Sequence, residues 1–220
     1  MMAMISAQAQ TDATAPLGRT TFGFRAGVNW QNFNGKDENG NMLSNQLVTR
    51  FHGGVNVEIP VAVDFYIQPG LLYATKGSLR KTMQNDQPLH ATATIGYVEM
   101  PVNLLYKPLL GTGHLIVGFG PYIAYGVWGK ARYELAGTTR TEDVKFKNTV
   151  ETGDRTDVTY FRPLDAGANL IAGYEFSNRI SFQLNAQLGM LRVNPTYRMN
   201  PGDQSSVKNT GFGISVGYRL

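Results

Sequence analysis

GYVEMPVNLLYKPLLGTGHLIVGFGPYIAYG, residues 96–126, is the stretch that decides the fold. The turn at 107–113, which contains one proline and two glycines, divides it into two segments. In both segments apolar residues occupy alternate positions, beginning with Val98, Met100 and Val102 before the turn and with Leu115, Val117 and Phe119 after it. Alternation with a period of two is typical of β-strands. The stretch therefore predicts a β-hairpin with one apolar face and one face of small and polar residues.

The same alternation recurs in about eight segments along the chain. Besides the two strands of that hairpin they are residues 21–31, 50–59, 64–75, 161–176, 179–192 and 211–220. Long connections follow the first, third, fifth and seventh segments, and short ones follow the second, fourth and sixth. An even strand number with long loops at one end is the layout of an outer-membrane barrel. We predict an all-β, eight-stranded antiparallel up-and-down transmembrane β-barrel, with the long loops outside and both chain ends in the periplasm.

Composition restricts the other possibilities. No apolar run approaches the roughly 18–20 residues of a membrane helix. The mean hydropathy of −0.21 does not argue against a barrel, because the polar lumen face offsets the lipid face. Cysteine is absent, which excludes disulfides and thiolate catalysis, and the net charge of +4 is too small to indicate nucleic acid.

The chain is predicted to have one folded domain, 21–220, after two N-terminal pieces. Residues 1–9 include Ala7-Gln8-Ala9, which resembles a signal-peptide cleavage site. We interpret 1–9 as the remnant of a signal peptide that begins upstream, the alternative being a disordered tail. Residues 10–20 are predicted to be an unstructured lead-in.

A soluble barrel of the lipocalin kind would turn its apolar face inward. Two features favour the membrane instead. The polar face is crowded with Gly, Ser and Asn, which suits a narrow lumen, and charged residues are only 16% of the chain. Aromatic residues also concentrate near the ends of the apolar faces, where the two bilayer interfaces would lie.

Three strand motifs resemble the PorT-like outer-membrane β-barrel family. They are YVEMPVNLLYK at 97–107, GFGPY at 118–122, and DAGAN at 165–169 with GYEF at 173–176. The resemblance covers nearly the whole chain from Thr21 onward and implies a location in the outer membrane of a Gram-negative bacterium. The name-giving member is linked to type IX secretion and gliding, but most relatives have no known role. The chain departs from such barrels at Leu220, where Phe is frequent.

The small and polar face carries several charges, which would line the lumen. The predicted lumen network consists of Arg25, Glu58, Glu99, Asp165, Asn169, Glu175 and Arg219. Buried charges are costly unless they are paired, so one interpretation is an ion-paired plug. The other is a narrow, porin-like aqueous path whose selectivity these charges set.

No catalytic, metal or cofactor site is predicted. His52, His90 and His114 lie on different segments, without ligand spacing. A membrane acyl hydrolase would need a Ser–His pair at the outer rim. Ser78 and His90 share one predicted loop, and that possibility would require them to be within hydrogen-bond reach.

The partners that we expect are outer-membrane lipid, lipopolysaccharide and proteins of the envelope, which would dock at residues 130–159; we expect a monomer that binds no nucleic acid. The candidates for lipopolysaccharide contact are Lys76, Arg80, Lys81, Lys130, Arg132, Arg192 and Arg198. The function predicted is a non-enzymatic structural or interaction role. The alternatives are a small-solute pore and an accessory component of a type IX secretion system.

Overall fold

The computed structural model describes residues 18–84 and 86–220, which form fourteen β-strands. They are β1 (Thr21–Lys36), β2 (Asn45–Gln46), β3 (Val48–Ala62), β4 (Phe65–Gln84), β5 (Gln87–Tyr106), β6 (Leu109–Leu110), β7 (Gly113–Leu135), β8 (Thr138–Phe146), β9 (Thr149–Val150), β10 (Thr159–Phe161), β11 (Leu164–Glu175), β12 (Ile180–Gly189), β13 (Thr196–Tyr197) and β14 (Ser206–Arg219). The predicted signal-peptide remnant, 1–9, and most of the lead-in lie outside the described residues. In the part of the chain that the structure describes, no helix is both long enough and apolar enough to cross a bilayer.

Eight strands close into a ring in which every neighbouring pair is antiparallel. Their order around the ring is β1, β3, β4, β5, β7, β11, β12 and β14. β14 pairs with β1 and closes it, with Gly23 opposite Arg219 and Lys36 opposite Ser206. Because the ring is closed, no edge strand is left with unpaired backbone N–H and C=O groups in lipid. The predicted eight-stranded antiparallel barrel is confirmed.

The two ends of the barrel differ. The turn end holds the connections 63–64, 107–112 and 176–179 together with the start of β1 and the end of β14. The loop end holds the β1–β3, β4–β5, β7–β11 and β12–β14 connections. These include the short strands β2, β8, β9, β10 and β13.

The apolar face of each ring strand points away from the barrel axis. Val117, Leu170 and Val216 are 47%, 56% and 49% exposed. Their neighbours along the strands face the interior and are small or polar, except for Ile116 and Ile171. Side chains that alternate in this way place one apolar set in lipid and one polar set in the lumen. The lipocalin alternative, which would bury the apolar set, is therefore wrong.

Aromatic side chains form two rims on the outer face. Near the loop end the Trp128 indole donates a hydrogen bond to the Tyr73 hydroxyl, and the ring pairs are Trp30–Phe212 and Phe51–Tyr73. Near the turn end the ring pairs are Phe65–Tyr106, Tyr174–Phe176 and Phe176–Phe182. Phe65 and Tyr73 are eight residues apart on β4, about 26 Å along the strand. After a tilt of about 40° the rims are about 20 Å apart, close to the roughly 25 Å apolar band of such barrels.

Three strands run well beyond the rim at the loop end. β4 and β5 have 20 residues each and β7 has 23, whereas a tilted strand spans the bilayer in about 9–11. The sequence predicted a loop over 76–92, and this is wrong: β4 and β5 continue there as a hairpin. Outside the bilayer neither face has to be apolar, so the alternation disappears although the hydrogen-bonded ladder continues.

Candidate functional site

The barrel interior contains all seven residues predicted for the lumen. Six are buried, and Glu175 is partly buried at the turn end. Each lies at an inward position of a strand whose alternate residues face lipid. Glu58, Glu175 and Arg219 belong to one cluster, and Glu99 and Asp165 belong to another. Asn169 is linked to the second cluster through Gln187, and Arg25 makes direct contact with neither group of carboxylates.

The first group of charges, the turn-end cluster, consists of Glu58, Lys107, Glu175 and Arg219. Lys107 Nζ lies 2.8 Å from Glu58 Oε2 and 2.8 Å from Glu175 Oε2. Arg219 forms an ion pair with Glu58 and donates a 2.9 Å hydrogen bond from Nη1 to Asn56 Oδ1. Two cations and two carboxylates compensate each other here, which satisfies the requirement that buried charges be paired.

The second group, the loop-side cluster, is built around Lys76. Its Nζ lies 2.8 Å from Glu99 Oε2 and 3.0 Å from Asp165 Oδ2, and 4.2 Å from the centre of the Tyr122 ring. The two carboxylates also accept hydrogen bonds, Glu99 from Gln187 Nε2 at 3.0 Å and Asp165 from Asn209 Nδ2 at 2.9 Å. One cation therefore faces two carboxylates in this cluster.

The position of Lys76 corrects one sequence-based expectation. Lys76 was predicted to contact lipopolysaccharide at the rim, but its side chain is 1% exposed and lies inside the barrel. It follows Leu72 and Ala74 at the inward positions of β4, because that strand does not end at Thr75 as the sequence suggested.

Arg25 supplies the charge that the loop-side cluster lacks. With Arg25 included, the two clusters contain four cations (Arg25, Lys76, Lys107, Arg219) and four carboxylates (Glu58, Glu99, Asp165, Glu175). Among the described residues Arg25 has no carboxylate within 4 Å, and Nη1 donates a 3.5 Å hydrogen bond to Gln183. Arg25 and Glu99 both line a cavity of about 50 Å³, which has room for about three to five water molecules. Bridging waters would connect the two charges.

Apolar side chains fill the interior above and below the charges. On the loop side an apolar plug consists of Phe33, Ile95, Tyr97, Tyr122, Ala124, Val144, Phe161 and Val193. Phe161 and Val193 come from the loop-end connections, and backbone hydrogen bonds of 2.7 Å (Arg162 to Val193) and 2.8 Å (Val193 to Val207) hold this segment. At the other end Leu105, Ile116 and Ile171 pack together. The interior is thus occupied by side chains, as expected for an eight-stranded barrel.

The other candidates for lipopolysaccharide contact have different surroundings. An extra residue in β7 leaves both Val127 and Trp128 on the outside. As a result Lys130 and Arg132 point outward just beyond the aromatic rim, and Lys81 is exposed on β4. Arg132 pairs with Glu134 at 2.7 Å and Arg198 pairs with Glu151 at 2.6 Å. Arg80 is exposed and Arg192 is partly buried.

The proposed Ser–His pair does not form in this geometry. Ser78 is buried on β4, whereas His90 is half-buried on β5 with its Nδ1 4.0 Å from Glu134 Oε2. Within residues 18–84 and 86–220 no hydrogen bond joins them. The same residues contain no group of three or more His, Asp or Glu that could hold a metal ion.

Sequence reasoning missed several members of the interior network. Five residues that it missed each bind one of the predicted carboxylates. They are Lys76, Lys107, Tyr122, Gln187 and Asn209. All five have the inward parity of their strands. Tyr122 and Gln187 lie within the predicted segments, and Lys76 and Asn209 lie just beyond the ends of theirs. Lys107 follows β5 directly and continues the inward series of Asn103 and Leu105, although the sequence assigned it to a turn.

The comparisons with known proteins cover most of the chain. Residues 7–191, which are 185 of the 220, match the family described as "Outer membrane protein beta-barrel domain". No curated protein sequence matches the chain. Among solved structures, the chain is similar to Ail, the attachment invasion locus protein of Yersinia pestis, with 11% identity, 92% of this chain and 100% of that chain covered, and a TM-score of 0.41. It is also similar to Neisserial surface protein A, with 8% identity, the same coverage and a TM-score of 0.42.

Proposed function

The chain belongs to the outer membrane protein β-barrel domain family, and we propose that it is a non-enzymatic outer-membrane protein with a structural or interaction role. The observation that carries this proposal is the filled interior. The turn-end cluster, the loop-side cluster and the apolar plug occupy successive levels of the lumen. A solute would have to displace all three, and the four cations and four carboxylates give the lumen no net charge with which to select ions.

Planar-bilayer conductance tests the filled interior against the small-solute pore. We expect the wild-type protein to show no discrete open steps. Truncation of the plug together with a turn-end ion pair, in a variant with Tyr97→Ala, Tyr122→Ala, Glu58→Ala and Arg219→Ala, should produce steps. It removes the rings beside Lys76 and the ion pair at the turn end. The matched control is Val98→Ala, which truncates a lipid-facing neighbour on β5. Regular open steps in the wild-type protein would favour the pore instead.

The orientation that we propose places the loop end outside the cell and both chain ends in the periplasm. Long loops face outward in barrels of this kind. Lys130 and Arg132 would then meet lipopolysaccharide phosphates just beyond the rim formed by Trp128 and Tyr73. Protease added to intact cells tests this: it should cut within 151–157, and not at the turn 176–179.

The proposed interaction surface is the β7–β11 connection, residues 136–163. Its charges are largely paired with one another, as in Lys147–Asp154 at 2.6 Å and Arg155–Asp157 at 2.6 Å. Such exposed pairs contribute little stability. An envelope partner could therefore replace one member of a pair at little cost, which supports docking here. Crosslinking in intact envelopes should capture a partner with the wild-type chain and lose it when residues 147–158 are replaced by a short Gly–Ser linker.

Strand motifs such as YVEMPVNLLYK at 97–107 support placing the chain among PorT-like barrels within the broader family. An accessory role in type IX secretion is the alternative that this placement raises. It predicts that the crosslinked partner is a secretion component and that cells without the protein lose secretion. If secretion is unchanged while crosslinking succeeds, the interaction role holds and the type IX role is wrong.

A further inference from the structure

The loop end of the barrel encloses a cavity of about 310 Å³, which we call the mouth cavity. All four loop-end connections or the strand extensions that carry them contribute to its walls. Representative lining residues are Asn45 from β2, Arg80 from β4, Ala91 from β5, Tyr133 from β7, Tyr160 from β10 and Pro195 from the β12–β14 connection. Four separate connections that meet around one space have formed a pocket rather than a flat lid.

The floor of the mouth cavity is apolar. Phe33 and Phe161 form it, with ring centres 5.5 Å apart, and both belong to the apolar plug. Ala93 and Ala131 leave space beside these rings. A volume of about 310 Å³ lies at the lower end of the range for small-molecule pockets. The space therefore suits a compact apolar ring or short chain, and it is too small for a segment of a protein partner.

Four polar side chains of the walls are engaged in pairs, Tyr133 with Thr159 and Asn194 with Ser205. Tyr133 Oη lies 2.9 Å from Thr159 Oγ1, which donates to Glu142 Oε2 at 2.9 Å. Glu142 also pairs with Arg140 at 3.0 Å. Their hydrogen-bonding capacity and charge are therefore largely satisfied within the wall.

Arg80 differs from the other lining residues because it is the one that carries a charge. Its side chain is exposed, and it forms no ion pair with any described residue. A guanidinium binds carboxylate and phosphate groups with charge-assisted hydrogen bonds. We propose that the mouth cavity binds a small amphipathic anion, with an apolar ring or short chain on Phe33 and Phe161 and an anionic head group at Arg80.

This inference does not depend on whether the lumen conducts or on a protein partner, because the mouth cavity lies above the plug. Binding can be tested with the full chain in lipid nanodiscs, using isothermal titration with phenylacetate and with its neutral analogue phenylacetamide; empty nanodiscs measure partition into lipid. We expect saturable binding of phenylacetate to one site and weaker binding of phenylacetamide.

Two variants make the test specific. Arg80→Gln should weaken phenylacetate binding about tenfold, the scale expected for losing a hydrogen bond to a charged group, and leave phenylacetamide unchanged. Its matched control, Lys81→Gln, removes an exposed charge from the next residue of β4, which does not line the cavity. Ala91→Phe fills the cavity and should abolish binding of both probes.

Several results would overturn the proposal. They are the absence of saturable binding to the wild-type protein, equal affinities for the two probes, and binding that survives Ala91→Phe in protein whose folded state is verified by its gel shift on heating. An equal loss in Arg80→Gln and Lys81→Gln would show that general surface charge, and not the mouth cavity, attracts the anion. Since Arg80 is exposed, its substitution leaves the fold intact and keeps the test informative.

Discussion

Replacing Lys76 with methionine removes the cation at the centre of the loop-side cluster. The side chain is 1% exposed and lies within 3.0 Å of both Glu99 and Asp165. Without it two carboxylates remain in the interior, hydrogen-bonded by Gln187 and Asn209 but lacking a cation in contact. Breaking a buried ion pair by removing one partner costs about 3–5 kcal/mol. We expect Lys76→Met to lower the free energy of unfolding by that amount.

Urea unfolding in lipid vesicles, followed by tryptophan fluorescence, measures this loss. The control Lys81→Met removes an exposed lysine from the same strand and should change stability by less than about 0.5 kcal/mol. A triple variant, Lys76→Met with Glu99→Gln and Asp165→Asn, also removes the two carboxylates that have lost their cation. It should recover at least about 2 kcal/mol relative to the single variant, because the penalty arises from uncompensated charge. A single variant as stable as the control, or a triple variant no better than the single one, would refute this reasoning.

Three further predictions concern other parts of the molecule. Leu170→Arg, on the lipid face, should cost about 2–4 kcal/mol in vesicle unfolding, and a loss below about 1 kcal/mol would contradict the outward orientation of that face. Arg219→Leu should destabilise the barrel more than Leu170→Ala, since it leaves Glu58 with fewer partners in the turn-end cluster; equal losses would count against the cluster. The pKa of the Asp154 carboxyl lies below its ordinary value of 3.8, chiefly because Lys147 donates hydrogen bonds to it. Since the folded-state pKa is lowered, the pair stabilises its loop fully above pH 3.8 and loses that effect as the pH falls through the lowered value. Hydrogen exchange should therefore show protection of this loop falling under acid, and Asp154→Asn should remove the pH dependence.

Most of the barrel could be predicted because the bilayer imposes a strict pattern on sequence. Wherever a strand crosses lipid, one side chain in two must be apolar, so Val117 and Leu170 reveal their orientation without any knowledge of their neighbours. The pattern ends where the lipid ends. Beyond Tyr73 the strand continues with polar residues on both faces, and a segment such as Lys76–Gln84 then looks like a loop.

The interior was predictable in kind but not in detail. Alternation identified Glu99 and Asp165 as inward, yet it could not show that Lys76 joins them, since that requires the true length of β4. Lys107 continues the inward parity of β5, but parity could not show that its side chain pairs with Glu58 and Glu175 from two other strands. The mouth cavity was not predictable, because its walls are residues as distant in sequence as Asn45 and Pro195.

The length of β4 and β5 has a mechanical consequence. From Tyr73 to Gln84 the strand advances eleven residues, about 36 Å along its axis, or about 28 Å in height after a tilt of about 40°. The two strands of this hairpin are paired along their length, and β5 also pairs with β7. The hairpin is therefore a stiff projection on one side of the bilayer. In the orientation that we propose, an epitope inserted at its tip, beside Asp86, would clear the lipid head groups and be open to antibodies on whole cells, whereas one inserted at Asn178 would lie at the periplasmic membrane surface.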